Sequence, residues 1–378
     1  MADGEATSTV AETHISRVFF SDDRAYKILK PLATSFLDHS TAAARLRAID
    51  QELALNRRLA PDVYLGTADV VEDGDVVDRM LVMRRLPSDR RLSNLIARGR
   101  DTSECVRSIA RAMAAFHSRQ QPDLTAGQIA SRDAMRKNWH DNFTDIQPVV
   151  GSLVPEVESV LVRQLADDYL DHGQVLFDQR LADGLVRDGH GDLTAEDIFC
   201  MDDGPRILDC LAFDPRLRIG DVLLDVAFLA MDLDRLIDSE AAQAFIDAYC
   251  EYGNEHHPAS LAHHFIAYRA SVRAKVAAIR YAQGDTSQED LVRTYHQLCL
   301  RHLQGTVRHL VLIGGTPGTG KSTLARAMSD SRGYVTLGSD ELRKDLVGRG
   351  HLETSRPAPD EGIYRRDITE QTYGELLT

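Results

Sequence analysis

A glycine-rich segment at residues 315–322 constrains the fold of this chain more than any other feature. Its sequence, GTPGTGKS, fits the pattern GxxxxGK(S/T), and a short apolar segment at 309–313 precedes it. A helix is predicted from Ser322 to Ser329, so the glycines lie between a strand and a helix. Backbone N–H groups of such a loop converge on phosphate oxygens, and the helix dipole adds to the attraction. The segment therefore predicts a nucleotide-binding α/β domain.

The side chains of this loop have distinct expected roles. Lys321 would reach the β- and γ-phosphates of ATP, and the Ser322 hydroxyl would help to hold Mg²⁺. ATP and Mg²⁺ are therefore the expected cofactors. The residues predicted to bind the nucleotide are Gly315, Gly318, Gly320, Lys321, Ser322 and Thr323.

We expect this α/β domain, over residues 304–378, to be C-terminally truncated. Only residues 321–378 follow its last loop glycine, too few for the further βα units that close such a sheet. A second strand is predicted at Tyr334–Leu337 and a last helix at Thr369–Leu377.

Asp340 and Arg343 follow this second strand. The pair resembles the zeta-toxin and gluconate-kinase group of P-loop kinases, in which the aspartate accepts the proton of a substrate hydroxyl. The alternative is a helix that is N-capped by Ser339 and has acidic residues in its first turn. The sequence leaves both interpretations open.

Length and charge limit the remaining possibilities. A chain of 378 residues exceeds what one hydrophobic core usually supports, so two domains are expected. The net charge of −14, from 44 basic and 58 acidic residues, argues against a nucleic-acid partner. No apolar stretch is long enough to cross a bilayer, and the N-terminal residues lack a secretory signal. We predict a cytoplasmic protein without a membrane partner; the sequence does not indicate its oligomeric state.

The pattern of the five cysteines is consistent with a cytoplasmic protein. They show no CxxC pair and no zinc-binding spacing, so we expect reduced core thiols. They are Cys105, Cys200, Cys210, Cys250 and Cys299.

Residues 13–303 are predicted to form a two-lobed α+β domain behind a flexible tail at 1–12. Alternating apolar residues predict two strand hairpins on either side of a helix at 41–59, which gives a small lobe over 13–86. Helices dominate 87–303, apart from a strand–loop–strand unit at 185–209. Trp139 is expected in the core of this helical lobe.

The strand–loop–strand unit carries three acidic residues that suit phosphoryl transfer. Such chemistry needs one carboxylate to orient and deprotonate an attacking hydroxyl and two oxygen ligands for Mg²⁺. Asp192, in the sequence HGD, fits the base, while Asp197 and Asp209 fit the metal ligands. We expect His190 to fix the loop through hydrogen bonds and Asp221 and Asp225 to brace it.

These residues, together with the sequence DVA at 225–227, resemble the aminoglycoside phosphotransferase family, which shares the protein-kinase-like fold. With the P-loop segment included, the chain is similar to bacterial bifunctional aminoglycoside phosphotransferase/ATP-binding proteins. The resemblance implies a kinase-like domain over 13–303 followed by a partial α/β P-loop NTPase domain. It also implies an enzyme that moves the γ-phosphoryl group of ATP to a small-molecule hydroxyl; sugars, amino sugars, amino alcohols and aminoglycosides all remain open as acceptors.

The resemblance also assigns residues of the small lobe. Lys27 would pair with the α- and β-phosphates, Glu52 would be its ion-pair partner, and 80–86 would form the hinge over the adenine. Lys30 competes with Lys27, but strand alternation places the two on opposite faces, so one alone can point into the cleft.

Two departures from the family support a second hypothesis. Asp197 stands where the family usually has Asn, and the turn at 21–24 has no glycine-rich loop. The alternative function is a nucleotide-sensing regulatory protein with a degenerate kinase-like domain.

Arginines recur on a predicted helix after Tyr268, at Arg269, Arg273 and Arg280. Arg269 and Arg273 are candidates to face an acidic or phosphorylated substrate. The alternative is a solvated basic face in an acidic protein.

Overall fold

The computed structural model describes residues 9–13, 15–33, 37–123, 126–307, 311–316, 318–332, 336–348 and 362–376. Its contacts divide the chain into two units, Met1–Val307 and Arg308–Thr378. The first unit contains the strand-rich lobe and the helical lobe, and the second contains the glycine-rich loop.

An antiparallel sheet of five strands forms the small lobe, in the order β1-β2-β3-β5-β4. The strands are β1 (Thr9–Glu12), β2 (Ser16–Ser21), β3 (Arg24–Leu29), β4 (Tyr64–Glu72) and β5 (Asp75–Arg84). Asp22 and Asp73 take positive φ angles of 49° and 53° in the two hairpin turns, a conformation that aspartate adopts more readily than most residues. Both predicted hairpins are confirmed.

The prediction of a flexible tail over residues 1–12 is wrong for its last four residues. Thr9–Glu12 pairs antiparallel with β2, from Thr9 opposite Phe20 to Glu12 opposite Arg17. The exposed edge of β2 offers free backbone groups, which a short neighbouring segment satisfies. Residues 1–8 lie outside the described residues.

Helix α1 (Ala42–Asn56) packs against β4 and β5 of this sheet. Thr41 caps it, since its hydroxyl accepts a hydrogen bond from the Ala44 N–H at 3.2 Å. The buried residues between helix and sheet are Leu29, Ile49, Ala60, Val63, Tyr64 and Leu81. This small core fixes the distance between the helix and β3.

The rest of the first unit is mainly helical. Its helices are α2 (Leu92–Ala97), α3 (Ser103–Arg119), α4 (Gly127–Ala130), α5 (Arg132–Ile146), α6 (Glu156–Asp171), α7 (Gln174–Ala182), α8 (Val222–Leu236), α9 (Ser239–Gly253), α10 (Ala259–Ala282) and α11 (Glu289–Gln304). Helix α8 is buried on nearly all sides, as expected of a helix that is apolar around its circumference. Trp139 is fully buried in this lobe, so its predicted core position is confirmed.

Two short antiparallel pairs position the acidic segments. One pair joins β6 (Val186–Asp188) to β9 (Ile219–Asp221), and the other joins β7 (Ile198–Met201) to β8 (Gly204–Ile207). Residues 189–197 connect the first pair to the second, and residues 208–218 connect the second pair back to the first. The three candidate carboxylates therefore lie on two neighbouring connections.

A disulfide joins Cys105 on α3 to Cys200 on β7, so the expectation of reduced thiols is wrong for these two residues. The Cα atoms lie 5.9 Å apart although 95 positions separate the residues in the chain, so only the tertiary fold brings them together. Cys210, Cys250 and Cys299 are free. Disulfides are uncommon in reducing compartments, and the cytoplasmic location stays a prediction.

The described part of the second unit consists of loops and helices: α12 (Lys321–Arg332), α13 (Ser339–Leu346) and α14 (Arg366–Leu376). The helices predicted around 322–329 and 369–377 are present with shifted ends. The strands predicted at 309–313 and 334–337 do not form at 311–313 and 336–337; their other residues lie outside the described part. A parallel strand needs a hydrogen-bonded neighbour, and the described residues of this unit supply none.

The described helices include none that is both long enough and apolar enough to cross a membrane.

Candidate active site

The loop that carries Asp192 is held from behind by Asp225 on α8. Its carboxylate accepts hydrogen bonds from the backbone N–H groups of His190 at 2.7 Å and Gly191 at 2.8 Å. It also lies 3.0 Å from His117 Nε2. Burial alone would raise the pKa of Asp225, but His117 and these N–H donors hold it far below its usual range. The predicted bracing role is confirmed for Asp225, whereas Asp221 caps α8 and pairs with Arg180.

Glycines at this loop are required by close contacts. A Cβ atom on Gly189 would lie 2.5 Å from Asp225 Oδ2, and Gly191 adopts a φ of 87°. The His190 ring lies 2.9 Å from the carbonyl oxygen of Leu208, and burial lowers the pKa of this histidine. A neutral ring that donates from Nε2 therefore ties the loop to the return segment, as predicted.

Lys27 on β3 lies at the centre of the site. Its ammonium group is 2.7 Å from Glu52 Oε1 on α1 and 3.4 Å from Asp209 Oδ1, and its side chain is 14% exposed. Burial opposes the charge, but Asp209 and Glu52 outweigh it and raise the pKa of Lys27. Lys30 points elsewhere, to the Thr13 carbonyl oxygen at 2.6 Å. Strand alternation thus selects Lys27 for the cleft.

Asp209 is anchored to the small lobe through the backbone on both of its sides. Its own N–H donates to the Tyr64 hydroxyl at 3.1 Å, and the N–H of Cys210 donates to Asn56 Oδ1 at 2.8 Å. Asp209 itself has a positive φ of 62°, while its side chain stays 58% exposed. Lys27 lowers the pKa of Asp209 despite partial desolvation. The carboxylate is therefore ionised and accessible.

Asp197 is half-buried and faces a second negative charge. Thr194 donates its hydroxyl to Asp197 Oδ2 at 2.7 Å, which fixes the side chain. Burial, with the added charge of Asp209, raises the pKa of Asp197 to about 7. Asp197, whose ionisation Asp209 disfavours, forms with Asp209 a pair of carboxylates that a hard divalent cation would stabilise. The residues present therefore fit Mg²⁺.

Two cavities meet at Lys27, Glu52 and Asp209. The larger, of about 670 Å³, lies under the small sheet, and the smaller, of about 350 Å³, lies beside α1 and contains Asp192. The apolar lining of the larger cavity includes Val18, Ala25, Met83, Leu86, Phe199 and Leu208. The part of the predicted hinge from Met83 to Leu86 thus borders this cavity. Burial raises the pKa of Asp192, partly offset by the charge of Arg273.

The glycine-rich loop of the second unit is closed by its own contacts. Lys321 Nζ donates to the carbonyl oxygens of Gly315 and Thr316, at 2.8 Å each. The positive φ angles of Gly315 (156°), Gly318 (82°) and Gly320 (85°) require glycine. Ser322 and Thr323 lie exposed in the first turn of α12, and residue 317 lies outside the described part.

Relatives cover nearly the whole chain. An uncharacterized protein of Mycobacterium tuberculosis (strain ATCC 25618 / H37Rv), Rv2004c, is 36% identical over 370 residues, which cover 97% of this chain and 74% of the relative. A protein of Mycobacterium bovis (strain ATCC BAA-935 / AF2122/97), Mb2027c, gives the same values. The chain belongs to the family of these mycobacterial proteins.

One family model and two solved structures are also similar to parts of this chain. Residues 310–377 match the model of an AAA domain. The aminoglycoside phosphotransferase APH(2″)-IIia, solved with GDP and kanamycin, shares the fold with a TM-score of 0.50 and 14% identity, over 80% of this chain and 94% of that chain. A choline/ethanolamine kinase family protein from Mesorhizobium loti has a TM-score of 0.47 at 14% identity, over 80% and 94% of the two chains. The chain has a kinase-like fold followed by a P-loop NTPase-like domain.

Asp340 and Arg343 make contacts within the second unit of the chain. Asp340 pairs with Lys344 at 3.0 Å and accepts from the Tyr364 hydroxyl at 3.4 Å. Arg343 is 7% exposed and lies 4.9 Å from the Tyr364 ring centroid. The N-cap of α13 is Gly338, so the capping role suggested for Ser339 is wrong by one residue. The contacts favour a packing role for Arg343, and its role towards substrate stays a prediction.

The arginines of α10 do not form a solvent-exposed basic face. Arg269 is buried, donates to the Leu224 carbonyl oxygen at 3.1 Å and lies 4.6 Å from the Phe228 ring centroid. Arg273 is half-buried, and Arg280 pairs with Asp285 at the surface. Arg269 borders a separate cavity of about 50 Å³ rather than the cavity of Asp192.

Arg58 is a residue of the candidate site that the sequence analysis did not identify. Arg58, just after α1, donates to Asp188 Oδ1 at 3.0 Å and to the Gly189 carbonyl oxygen at 2.9 Å. Its guanidinium also lies 5.0 Å from the Phe116 ring centroid. The side chain thus links the small lobe to the start of the loop that carries Asp192. A lone arginine after a helix gives no sequence signal for such a contact.

Proposed function

We propose that the kinase-like unit transfers the γ-phosphoryl group of ATP to a hydroxyl group of a small molecule. The observation that carries this proposal is the position of Lys27, which pairs with both Glu52 and Asp209 where two cavities meet. A lysine held between acids of two lobes is preorganised to meet phosphate oxygens. The shared fold with a known phosphotransferase agrees with this chemistry at a coarse level.

The larger cavity suits the nucleotide. Its apolar lining, including Val18, Met83 and Leu208, matches an aromatic base, and its polar end is formed by Lys27, Asp197 and Asp209. We assign the adenine to the apolar end and the phosphates to the polar end. Lys27 then binds and orients the phosphates.

Mg²⁺ would be held by Asp197 and Asp209. When bound, this ion would neutralise charge on the phosphate oxygens. The same ion would favour the ionised form of Asp197, whose pKa is raised to about 7 by burial and by Asp209. An aspartate at position 197, where the family usually has asparagine, can therefore still act as a metal ligand.

We assign Asp192 as the group that orients the acceptor hydroxyl and takes its proton. The residue is half-buried, and its loop is fixed by Asp225 from behind. Burial raises its pKa from the ordinary value of aspartate, which makes it a better proton acceptor. A rigid carboxylate at the cavity wall supplies both position and basicity.

The smaller cavity suits the acceptor. Its volume of about 350 Å³ is near the lower end for ligand sites, so we propose an acceptor closer in size to one sugar than to a multi-ring aminoglycoside. Asp192 and the polar side chains Arg47 and Gln51 line this cavity. These groups would bind further hydroxyl or acidic substituents of the acceptor.

The second unit is proposed to bind ATP through Lys321 and the loop glycines. The AAA match over 310–377 and the positive φ angles of the glycines support this assignment. Catalysis by this unit, with Asp340 as the base, is a separate possibility that the same experiment tests.

The test is acceptor-dependent ADP release by the purified full chain with Mg·ATP and a panel of sugars, amino sugars and aminoglycosides. The proposal expects turnover with a compact acceptor, a loss of about 10²–10⁴-fold in Asp192→Asn, and no loss in Lys321→Ala. Asp202→Asn, in an exposed turn near β7, is the matched control. Loss in Lys321→Ala alone would move the chemistry to the second unit. Nucleotide binding without turnover across the panel would favour the regulatory alternative.

A further inference from the structure

Three potential metal ligands converge at the corner between α9 and α10, away from the candidate active site. Cys250 lies in the last turn of α9, and Glu255 and His257 lie in the short connection that follows. Asn254 makes this corner possible, because it ends α9 with a left-handed φ of 48°. Pro258 then precedes α10.

The donor atoms of these three residues form a small triangle. Glu255 Oε2 lies 2.7 Å from His257 Nδ1 and 3.3 Å from Cys250 Sγ, and the sulfur lies 3.8 Å from the histidine nitrogen. Around a tetrahedral Zn²⁺, the corresponding edges are about 3.3–3.5 Å, from bonds of about 2.3 Å to sulfur and 2.0 Å to nitrogen and oxygen. Each distance is thus within about 0.6 Å of this geometry. Small side-chain rotations suffice to reach it.

Burial makes these ligands more than a chance surface cluster. Glu255 is 5% exposed and the His257 side chain 8%, while Cys250 is half-buried. A cation bound here would exchange most of its water for protein ligands. One coordination position would remain for water, because three protein donors do not complete a tetrahedron.

A supporting contact fixes the carboxylate ligand. Arg180 donates to Glu255 Oε1 at 2.7 Å, which leaves Oε2 to face the cysteine and the histidine. The same arginine pairs with Asp221, so its position is set independently of the cluster. Metal-binding carboxylates are commonly oriented by such an outer hydrogen bond.

We propose that Cys250, Glu255 and His257 bind a divalent cation of the Zn²⁺ type. The combination of thiolate, imidazole and carboxylate suits a borderline-soft ion rather than Mg²⁺ or Ca²⁺, which prefer oxygen ligands. The spacing Cys-x₄-Glu-x-His holds one cysteine, which explains why cysteine spacing alone gave no zinc prediction.

The site would stabilise the region behind the candidate catalytic loop. Arg180 connects Glu255 to Asp221, which N-caps α8 by accepting from the Leu223 N–H at 2.8 Å. Asp225, one turn further along α8, braces His190 and Gly191. A bound cation would therefore hold the corner next to this brace, independently of any phosphoryl transfer.

The test is metal binding by the full chain after treatment with a chelator. Titration calorimetry should show Zn²⁺ binding that the ligand variants lose, and Co²⁺ should give a thiolate-to-cobalt charge-transfer absorption. Cys250→Ser and His257→Gln should each weaken Zn²⁺ binding by more than about 100-fold, since even supporting residues contribute 10–100-fold. Cys299→Ser, which removes another free and buried thiol, is the matched control and should change nothing.

The cobalt signal separates this site from the carboxylates near Lys27, which have no thiolate. Absence of the charge-transfer absorption in the native protein, or its persistence in Cys250→Ser, would overturn the proposal. Circular dichroism checks that both ligand variants are folded, and the two variants are independent of each other. Stabilisation of the native protein by Zn²⁺, absent in His257→Gln, is the expected accompanying result.

Discussion

Each of the two units contains a lysine that we propose to bind phosphate, but the two lysines are held in different ways. Lys27 is paired with two carboxylates, Glu52 and Asp209, which lie 25 and 182 positions away in the chain. Lys321 instead donates to two carbonyl oxygens of its own loop, those of Gly315 and Thr316, which lie six and five positions away. The first lysine depends on tertiary structure and the second on a local turn.

This difference determines what each site can do. The pair of acids raises the pKa of Lys27 and fixes its ammonium group where two lobes and two cavities meet. The local loop of Lys321 brings no carboxylate of another element to the lysine among the described residues. Long-range assembly thus brings together the groups of the proposed reaction centre, while the local motif forms a turn that we propose to bind phosphate.

The largest expected effect tests this contrast directly. Lys27→Ala should lower acceptor-dependent ADP release by about 10²–10³-fold, because a preorganised charge next to the phosphates is lost. Lys321→Ala should leave that activity unchanged and remove one nucleotide-binding site. Steady-state turnover and equilibrium nucleotide binding measure the two effects.

Lys30→Ala is the matched control for Lys27→Ala. It removes a lysine three residues away whose side chain contacts Thr13 and Glu12 instead of the cleft. Equal losses in both variants would show that charge on the small lobe matters rather than the position of Lys27.

The candidate site was predictable where its chemistry has a local pattern. The HGD loop, Asp209 and the glycine-rich turn are each visible as short motifs, and alternation along β3 separated Lys27 from Lys30. The residues that hold these groups have no such pattern. Tyr64, Asn56 and Arg58 act through contacts to segments more than 130 positions away, which only the folded lobes create.

The next effect concerns the disulfide, a second long-range feature of the first unit. Reduction, or Cys105→Ser, should destabilise this unit by about 2–4 kcal/mol, because the bond closes a long loop in the unfolded chain. Thermal unfolding with and without reductant measures the change. Cys299→Ser should show the same difference between oxidised and reduced protein as the unmodified protein, and an equal melting temperature for oxidised and reduced unmodified protein would contradict the prediction.

The fold itself was predictable to a similar limit. Both hairpins, the helix between them and the helical lobe follow from apolar periodicity and turn residues. The strands predicted in the second unit fail at 311–313 and 336–337, where apolar residues stand without a neighbouring strand. The disulfide and β1 were missed because both depend on contacts between separate segments. Apolar periodicity predicts individual helices and strands, but it does not predict which other segments they contact.

A smaller effect follows from the pair of carboxylates at the first site. The pKa of Asp197 is about 7 in the folded protein and about 3.9 in an unfolded chain. Between these values the folded state binds a proton that the unfolded state lacks, so stability falls as pH rises. Asp197→Asn should therefore raise the melting temperature at pH 8 in metal-free buffer and have little effect near pH 4.

Asp203→Asn is the control of opposite sign. Arg206 lowers the pKa of Asp203, so the ionised Asp203 carboxylate stabilises the fold at neutral pH, and this stabilisation is lost as pH falls. Its removal should slightly lower the melting temperature at pH 8. A destabilised Asp197→Asn protein at pH 8 would show that the carboxylate is favourably paired, against the proposed role as a ligand that needs a cation.

The smallest expected effect returns to the second unit. Arg343 is buried against Tyr364, so Arg343→Ala should destabilise this unit by roughly 1 kcal/mol through loss of the cation–π contact. Hydrogen exchange of the amides in α13 and α14 measures it, and Arg326→Ala, at an exposed position of α12, is the matched control. Phosphoryl transfer by the first unit should not change. If Arg343→Ala instead lowers turnover while exchange is unaltered, the arginine serves a substrate, and the second unit has a reaction centre of its own.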